Sequence, residues 1–178
     1  MTLTIICDTD FLSSFLKIER LELVRDLFKE KNLYIPVAVL SEIAKTNLIT
    51  ALLDKEWVKV KNVSDSDFKK VKKDKEFTKL GSGEKECFAL CKRFKNSVLL
   101  ISDNKARRIA NKNGIFTLNI SAFLLACKKM GILDSNDIAV IIRDLREKDY
   151  YEFSEEERAG LIGKHNSLNI GDSSSIEF

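Results

Sequence analysis

Two short apolar runs, each followed by an aspartate, constrain the fold of this chain more than any other feature. Residues 3–7 form the first run, which Asp8 follows, and residues 97–101 form the second, which Ser102 and Asp103 follow. Continuous apolar and β-branched runs of this kind are typical of strands buried on both faces of a parallel sheet. Ligand crevices in open α/β sheets lie outside the carboxyl ends of the strands, so both aspartates are expected to point into one cavity.

Each aspartate also has an ordinary structural explanation. Aspartate is favoured at a helix N-cap because its side-chain oxygen accepts a backbone N–H that has no partner inside the helix. A helical pattern does follow Asp103, over residues 105–112. For either residue alone, capping is as good an explanation as a functional site, and only the pair favours the site.

Two glutamates lie on predicted helices that begin near the same edge. Pro36 is the only proline and lies in an extended segment, residues 33–37. It suits the first turn of a helix that carries Glu42 about two turns in. Glycines precede the amphipathic helix in whose first turn Glu84 lies. Acids at helix starts often compensate the helix dipole, so that role stays open for Glu84 and Glu86.

Four segments, taken in order, resemble the PIN-domain family, and most closely the VapC-like toxin ribonucleases of type II toxin–antitoxin pairs. The segments are residues 6–12, 35–43, 80–90 and 99–108, and the similarity spans residues 3–133. The resemblance implies an α/β fold, a three-layer α/β/α sandwich with a central parallel sheet. It also implies a carboxylate cluster that holds divalent metal, and hydrolysis of phosphodiester bonds in single-stranded RNA.

Carried over position by position, the resemblance assigns the catalytic and metal-binding roles to four acids. They are Asp8, Glu42, Glu84 and Asp103. Many relatives have two consecutive aspartates where this chain has Asp103 and Asn104, so both one and two metal ions stay open.

Glu84 and Glu86 compete for one of these roles. Two helical residues at this spacing point about 200° apart, so both cannot face one cavity. Its position beside the glycine loop favours Glu84, and Glu86 is expected to point toward solvent or toward Lys85 and Arg93. Asp10 either supports the site or caps a helix that begins at the next residue.

The ligand set favours Mg²⁺ or Mn²⁺, because hard oxygen donors select these ions whereas zinc and copper recruit histidine or cysteine. The only histidine, His165, lies in a polar C-terminal segment far from the acids. This excludes a Ser-His-Asp or Cys-His site and a two-histidine ribonuclease. Hydrolysis would then be metal-assisted, and the crowded acids should have raised pKa values in the absence of a cation.

Composition bounds the remaining expectations. At 178 residues, 44% of them hydrophobic, the chain suits one domain. We expect a PIN-like domain over residues 1–163, with C-terminal helices in 134–163, and a polar, flexible tail in 164–178. Apolar runs contain all four cysteines, which indicates buried thiols in a reduced compartment. No signal peptide or membrane span is evident, which favours the cytoplasm.

Weaker patterns predict further elements. Residues 57–63 alternate as a half-exposed strand, residues 114–119 fit a buried strand that Asn119 ends, and residues 134–145 form an amphipathic helix. Ser154 and Glu157 have the spacing of a capping box. The preceding aromatics, Tyr150, Tyr151 and Phe153, are candidates for the core, a dimer surface or RNA stacking.

The net charge of +3 does not by itself indicate nucleic-acid binding. Six lysines occur in residues 69–79, and they are either a solvated helix face or a phosphate-binding surface. Arg107 and Arg108 are better candidates for substrate binding, and Asn119 either contributes or caps the next helix. The predicted partners are single-stranded RNA, an antitoxin protein and a second copy of the chain. The alternative function is a catalytically weak PIN-like module that binds RNA or a protein.

Overall fold

A computed structural model describes residues 3–69, 71 and 75–163. The predicted tail, His165 and part of the lysine run lie outside the described residues. Among the described helices, none combines the length and the apolar character that a membrane span requires.

The described residues form one sheet of five parallel strands in the order β3-β2-β1-β4-β5. The strands are β1 Thr4–Cys7, β2 Leu33–Pro36, β3 Val58–Lys61, β4 Ser97–Leu100 and β5 Phe116–Leu118. Strand β1 is central, and its Cys7 pairs with Leu100 of β4. Because all neighbouring strands are parallel, every strand ends at the same edge of the sheet, which we call the carboxyl edge.

Helices connect the successive strands, as parallel pairing requires. The connecting helices are α1 Thr9–Lys17, α2 Leu23–Phe28, α3 Val37–Ile43, α4 Ile49–Leu53, α5 Asp65–Lys69, α6 Ser82–Arg93 and α7 Asn104–Lys112, with a 3-10 helix at Lys75–Lys79. Three further helices follow β5: α8 Ile120–Lys129, α9 Ser135–Asp149 and α10 Glu155–Ile162. The fold is the three-layer α/β/α sandwich that the sequence predicts. Pro36 ends β2 and is the N-cap of α3, so its missing N–H leaves no helical bond unmade.

The chain divides after Ile120 into two compact units, and the prediction of a single domain stays a prediction. In the second unit the capping box of Ser154 and Glu157 is confirmed at the start of α10. Phe153 is 5% exposed and contacts Tyr151 edge-on, whereas Tyr150 is 87% exposed. Phe153 is therefore a core residue, and Tyr150 is left at the surface.

The two outer strands differ from the central ones in exposure. Strand β3 is the half-exposed strand that the sequence predicts. The prediction of a buried strand at residues 114–119 is wrong in its burial, because Phe116 of β5 is 64% exposed. The physical reason is topological: β5 is an edge strand with a neighbour on one side only.

Helix α6 packs directly on the central strands through small buried thiols. Cys7 and Cys87 are both fully buried, and the Cys87 Sγ donates to the Cys7 carbonyl at 3.6 Å. Burial raises the pKa of both thiols well above the ordinary value. All four cysteines are buried, as predicted, and the contact between Cys87 and Cys7 joins the middle of α6 to the end of β1.

Replacement of Ile6 by alanine should cost about 2–5 kcal/mol of unfolding free energy, because it opens a cavity beneath the central strand. Ile6 is 0% exposed, whereas Val60 on the outer strand β3 is 44% exposed. The matched Val60→Ala variant should change the unfolding free energy by less than about 1 kcal/mol. Urea denaturation of both variants measures the difference, and equal losses would contradict this description of the core.

Candidate active site

Asp8 directly follows the central strand, and its side chain is withdrawn from water. Its backbone N–H donates to the Leu100 carbonyl at 3.0 Å, which joins the ends of β1 and β4. Asp8 is the N-cap residue of α1, yet its carboxylate makes no capping hydrogen bond. Only 5% of the residue is exposed. The capping explanation therefore does not account for this side chain.

The pKa of Asp8 shows which other charges lie near it. Burial raises this pKa from 3.8 to about 7; the Thr9 amide lowers it, and the charges of Asp10, Glu84 and Glu42 raise it further. These three neighbouring charges are all negative. Two of the predicted site residues, Glu42 and Glu84, are thus brought into electrostatic contact with Asp8.

Glu42 lies on α3 and is held by residues from two other helices. Thr9 at the start of α1 donates a short hydrogen bond to Oε2 of Glu42, and Ser82 at the start of α6 donates to Oε1 at 3.4 Å. A Cβ atom on Gly83 would lie 3.2 and 3.3 Å from the two Glu42 carboxylate oxygens. Glycine at position 83 therefore permits α6 to begin this close to Glu42.

Glu84 and Asp103 are neighbours on the adjacent side of the cluster. Burial raises the pKa of Glu84, the Gly81 amide lowers it, and the charge of Asp103 raises it again. The Glu84 Oε2 accepts from the Gly81 N–H at 2.8 Å. Asp103 is exposed and caps α7, since its Oδ1 accepts from the Ala106 N–H at 2.7 Å. Here both sequence explanations apply: Asp103 caps a helix and also lies beside the acids.

Glu86 does not point toward solvent or toward its basic neighbours, so that expectation is wrong. Its carboxylate accepts a hydrogen bond from the backbone N–H of Ala38 at 2.9 Å. Ala38 is in the first turn of α3, the helix that carries Glu42. The two glutamates of α6 therefore diverge, and Glu86 positions α3. Sequence reasoning missed this role because the two partners are 48 residues apart.

Asp10 is exposed in the first turn of α1 and is not its cap, because the helix begins one residue earlier, at Thr9. The expectation that Asp10 caps a helix at Phe11 is therefore wrong. Its negative charge acts on the cluster nonetheless, since it raises the pKa of both Asp8 and Glu84.

The three predicted substrate-binding residues differ in exposure and in position. Arg107 is half-buried, and its Nη1 donates to the Asn104 Oδ1 at 3.1 Å. Arg108 is exposed on another face of α7. Asn119 is half-buried directly after β5, at the carboxyl edge but two strands away from β1. Their role in substrate binding stays a prediction.

The donor chemistry of the cluster fits a hard divalent cation. All the candidate ligands are carboxylate oxygens, and their mutual repulsion is what a cation would relieve. Within the part of the chain that the structure describes, no three His, Cys, Asp or Glu side chains are grouped closely enough to hold a metal. The Glu42, Glu84 and Asp103 carboxylates each accept a hydrogen bond from within the protein. The Ser102 Oγ is buried without a hydrogen-bond partner in the same described residues, so it is available to a bound water.

The chain is similar to a known protein family. A protein-family model described as "PIN domain" matches residues 4–167 of this chain. No curated protein matches the chain significantly.

Unfolding of the metal-free protein should depend on the ionisation of Asp8. Between pH 3.8 and about 7 the folded state keeps a proton that the unfolded state has lost, so stability falls as pH rises. Above that range both states are ionised, and the full penalty is up to about 4 kcal/mol. Asp8→Asn should remove this dependence and be more stable than the wild type at pH 8, measured by urea denaturation in EDTA.

The matched control is Asp26→Asn, which removes an exposed aspartate on α2. It should keep the wild-type pH profile. Saturating Mn²⁺ should reverse the wild-type loss of stability at high pH, because a cation favours the ionised carboxylate. Parallel pH profiles for the wild type and Asp8→Asn would refute the assignment.

Proposed function

Because the chain belongs to the PIN-domain family, whose members are generally nucleases, we propose that it is a metal-dependent endoribonuclease. Its reaction would be hydrolysis of phosphodiester bonds in single-stranded RNA. The observation that supports this proposal best is the set of mutually repelling carboxylates at the carboxyl edge. The charges of Glu42, Glu84 and Asp10 all raise the pKa of the buried Asp8.

Asp8, Glu42, Glu84 and Asp103 would hold the ion, and their oxygen donors favour Mg²⁺ or Mn²⁺. A divalent cation supplies charge neutralisation at the scissile phosphate and activates the attacking water. The chain itself contributes orientation and burial. Thr9 and Ser82 hold the Glu42 carboxylate, and Glu86 holds the first turn of α3. Asp8 must give up the proton that burial favours before it can bind an ion, so activity should rise through neutral pH.

The biological role in this proposal is that of the toxin in a type II toxin–antitoxin pair. It is supported by the order of the four sequence segments that resemble such toxins. An antitoxin protein and a homodimer belong to the same proposal. Expression of the chain should arrest growth, and a small protein encoded beside it should relieve the arrest. Continued growth on expression of a soluble, RNA-cleaving protein would contradict the toxin role.

A catalytically weak module that binds RNA or a protein is the second candidate. Two observations favour it: the described carboxylates form no group of three, and Asn104 stands where relatives have an aspartate. The Asn104 side chain is also engaged by Arg107. RNA binding without cleavage by the wild type, in the presence of Mn²⁺, would decide for this candidate.

Removal of a single carboxylate should abolish cleavage. Asp8→Asn and Asp103→Asn should each lower the rate on single-stranded RNA with Mn²⁺ by at least about 100-fold, because each removes a charged ligand worth several kcal/mol. The isosteric amide keeps the size of the side chain, and in Asp103→Asn the new amide can still cap α7 through its carbonyl oxygen. The Asp26→Asn control should cleave at the wild-type rate, and unchanged cleavage by Asp8→Asn would discredit the site.

The two glutamates of α6 can be separated by matched variants. Glu84→Gln should lose at least about 100-fold in rate, because the amide removes the charge that a metal ligand needs. Glu86→Gln should stay within about threefold, since its carbonyl oxygen still accepts the Ala38 N–H. Glu86→Ala should cost about 1–2 kcal/mol of unfolding free energy through the lost bond to α3. The reverse pattern of rates would make Glu86 the ligand.

A further inference from the structure

A basic groove lies along α7, next to the carboxylates but separate from them. Its volume is about 400 Å³, and it contains four cationic side chains and one carboxylate. The residues that line it are Glu76, Lys79, Lys105, Arg108, Ile109 and Lys112. We propose that this basic groove binds the phosphate backbone of single-stranded RNA where the strand leaves the carboxylates. The proposal rests on the proposed function and adds the path of the substrate.

The cations of α7 form a continuous row. Lys105, Arg108 and Lys112 are spaced three and four residues apart, which places them on one face of the helix. At 1.5 Å per residue the row is about 10 Å long, so it is longer than a single phosphate group. Ile109 lies on the same face and is 4% exposed, so its burial anchors the helix beneath the row.

The row begins at the candidate active site. Asp103 is the N-cap of α7, and Lys105 follows it by two residues. The positive charge of Lys105 also acts on the Glu84 carboxylate, where it opposes the effect of Asp103. A strand with one phosphate at the acids would therefore have its next phosphates beside Lys105 and Arg108.

The far end of the groove contains a contact that a phosphate can replace. Lys112 is paired with Glu76 at 2.9 Å, and their side chains are 64% and 40% exposed. Exposed pairs of this kind are weak, because solvent screens them. Lys79, at the end of the 3-10 helix, contributes a fourth cation to the groove.

The side chains that line the groove favour contacts with the RNA phosphate backbone over contacts with the bases. Lysine and arginine suit phosphate, and arginine can bind it through two parallel hydrogen bonds. The described lining residues include no aromatic side chain on which a base could stack. Binding in the groove should therefore depend on charge and tolerate any sequence. Arg107 does not line the groove, and its Nη1 donates a hydrogen bond to Asn104.

The test measures the salt dependence of RNA binding by the full chain. A fluorescently labelled oligouridylate is titrated in EDTA, which prevents cleavage, over a range of salt concentrations. Each phosphate contact on a single strand contributes about 0.7 to the slope of log K against log salt. The triple variant Lys105→Gln, Arg108→Gln, Lys112→Gln should reduce the slope by about 2. The double variant that keeps Lys112 should reduce it by about 1.4.

The control triple variant is Lys31→Gln, Lys59→Gln, Lys95→Gln, which removes the same charge from exposed positions elsewhere. Its slope should stay within about one contact, 0.7, of the wild type. Equal slopes for the two triple variants would overturn the groove, as would tighter binding of a duplex than of the single strand. If the wild type cleaves RNA and the groove variants bind RNA as tightly as the wild type does, the nuclease proposal stands and the groove proposal is refuted. If the wild type binds RNA through the groove but does not cleave it, the groove proposal stands and the nuclease proposal is refuted.

Discussion

Burial of the Asp8 carboxylate at the end of the central strand is the constraint on which the rest of the structure depends. Asp8 is only 5% exposed, and an ionised carboxylate buried among other acids is costly. Burial accordingly raises its pKa to about 7. Strand β1 cannot move to relieve it, because it pairs with β2 on one side and β4 on the other. Such a group is expected where charge is needed for function, since perturbed pKa values cluster at functional sites.

The acids around Asp8 are held by hydrogen bonds between segments rather than within them. Thr9 of α1 bonds Glu42 of α3, and Glu86 of α6 bonds the backbone of α3. Gly83 permits the close approach of α6 to Glu42 and Thr9. Helices α1, α3 and α6 are thereby joined at the carboxyl edge. In the proposed function the Glu42 oxygens that accept from Thr9 and Ser82 would also bind the cation, so ion binding would be coupled to the order of this edge.

Much of the carboxyl edge could be predicted because it depends on local patterns. Apolar runs predict β1 and β4, and the aspartates that follow them reach the same edge in any parallel sheet. Glycines and a proline predict the helix starts that carry Glu42 and Glu84. Two predictions failed because of long-range features: β5 is exposed because it is an edge strand, and Glu86 accepts a hydrogen bond from a helix far away in the sequence. The Asp10 cap failed for a local reason, because α1 begins at Thr9.

The sequence by itself determined the parallel α/β fold, the order of its acids and their all-oxygen chemistry, because hydrophobic periodicity and residue type are local properties. Only the tertiary structure decided that the charge of Glu84 acts on Asp8, whereas Glu86, two residues further along, holds the first turn of α3. It also decided that Arg108 lies in a basic groove while Arg107 is bonded to Asn104. These choices depend on which segments pack together, and that is decided by the geometry of the whole sheet and its helices.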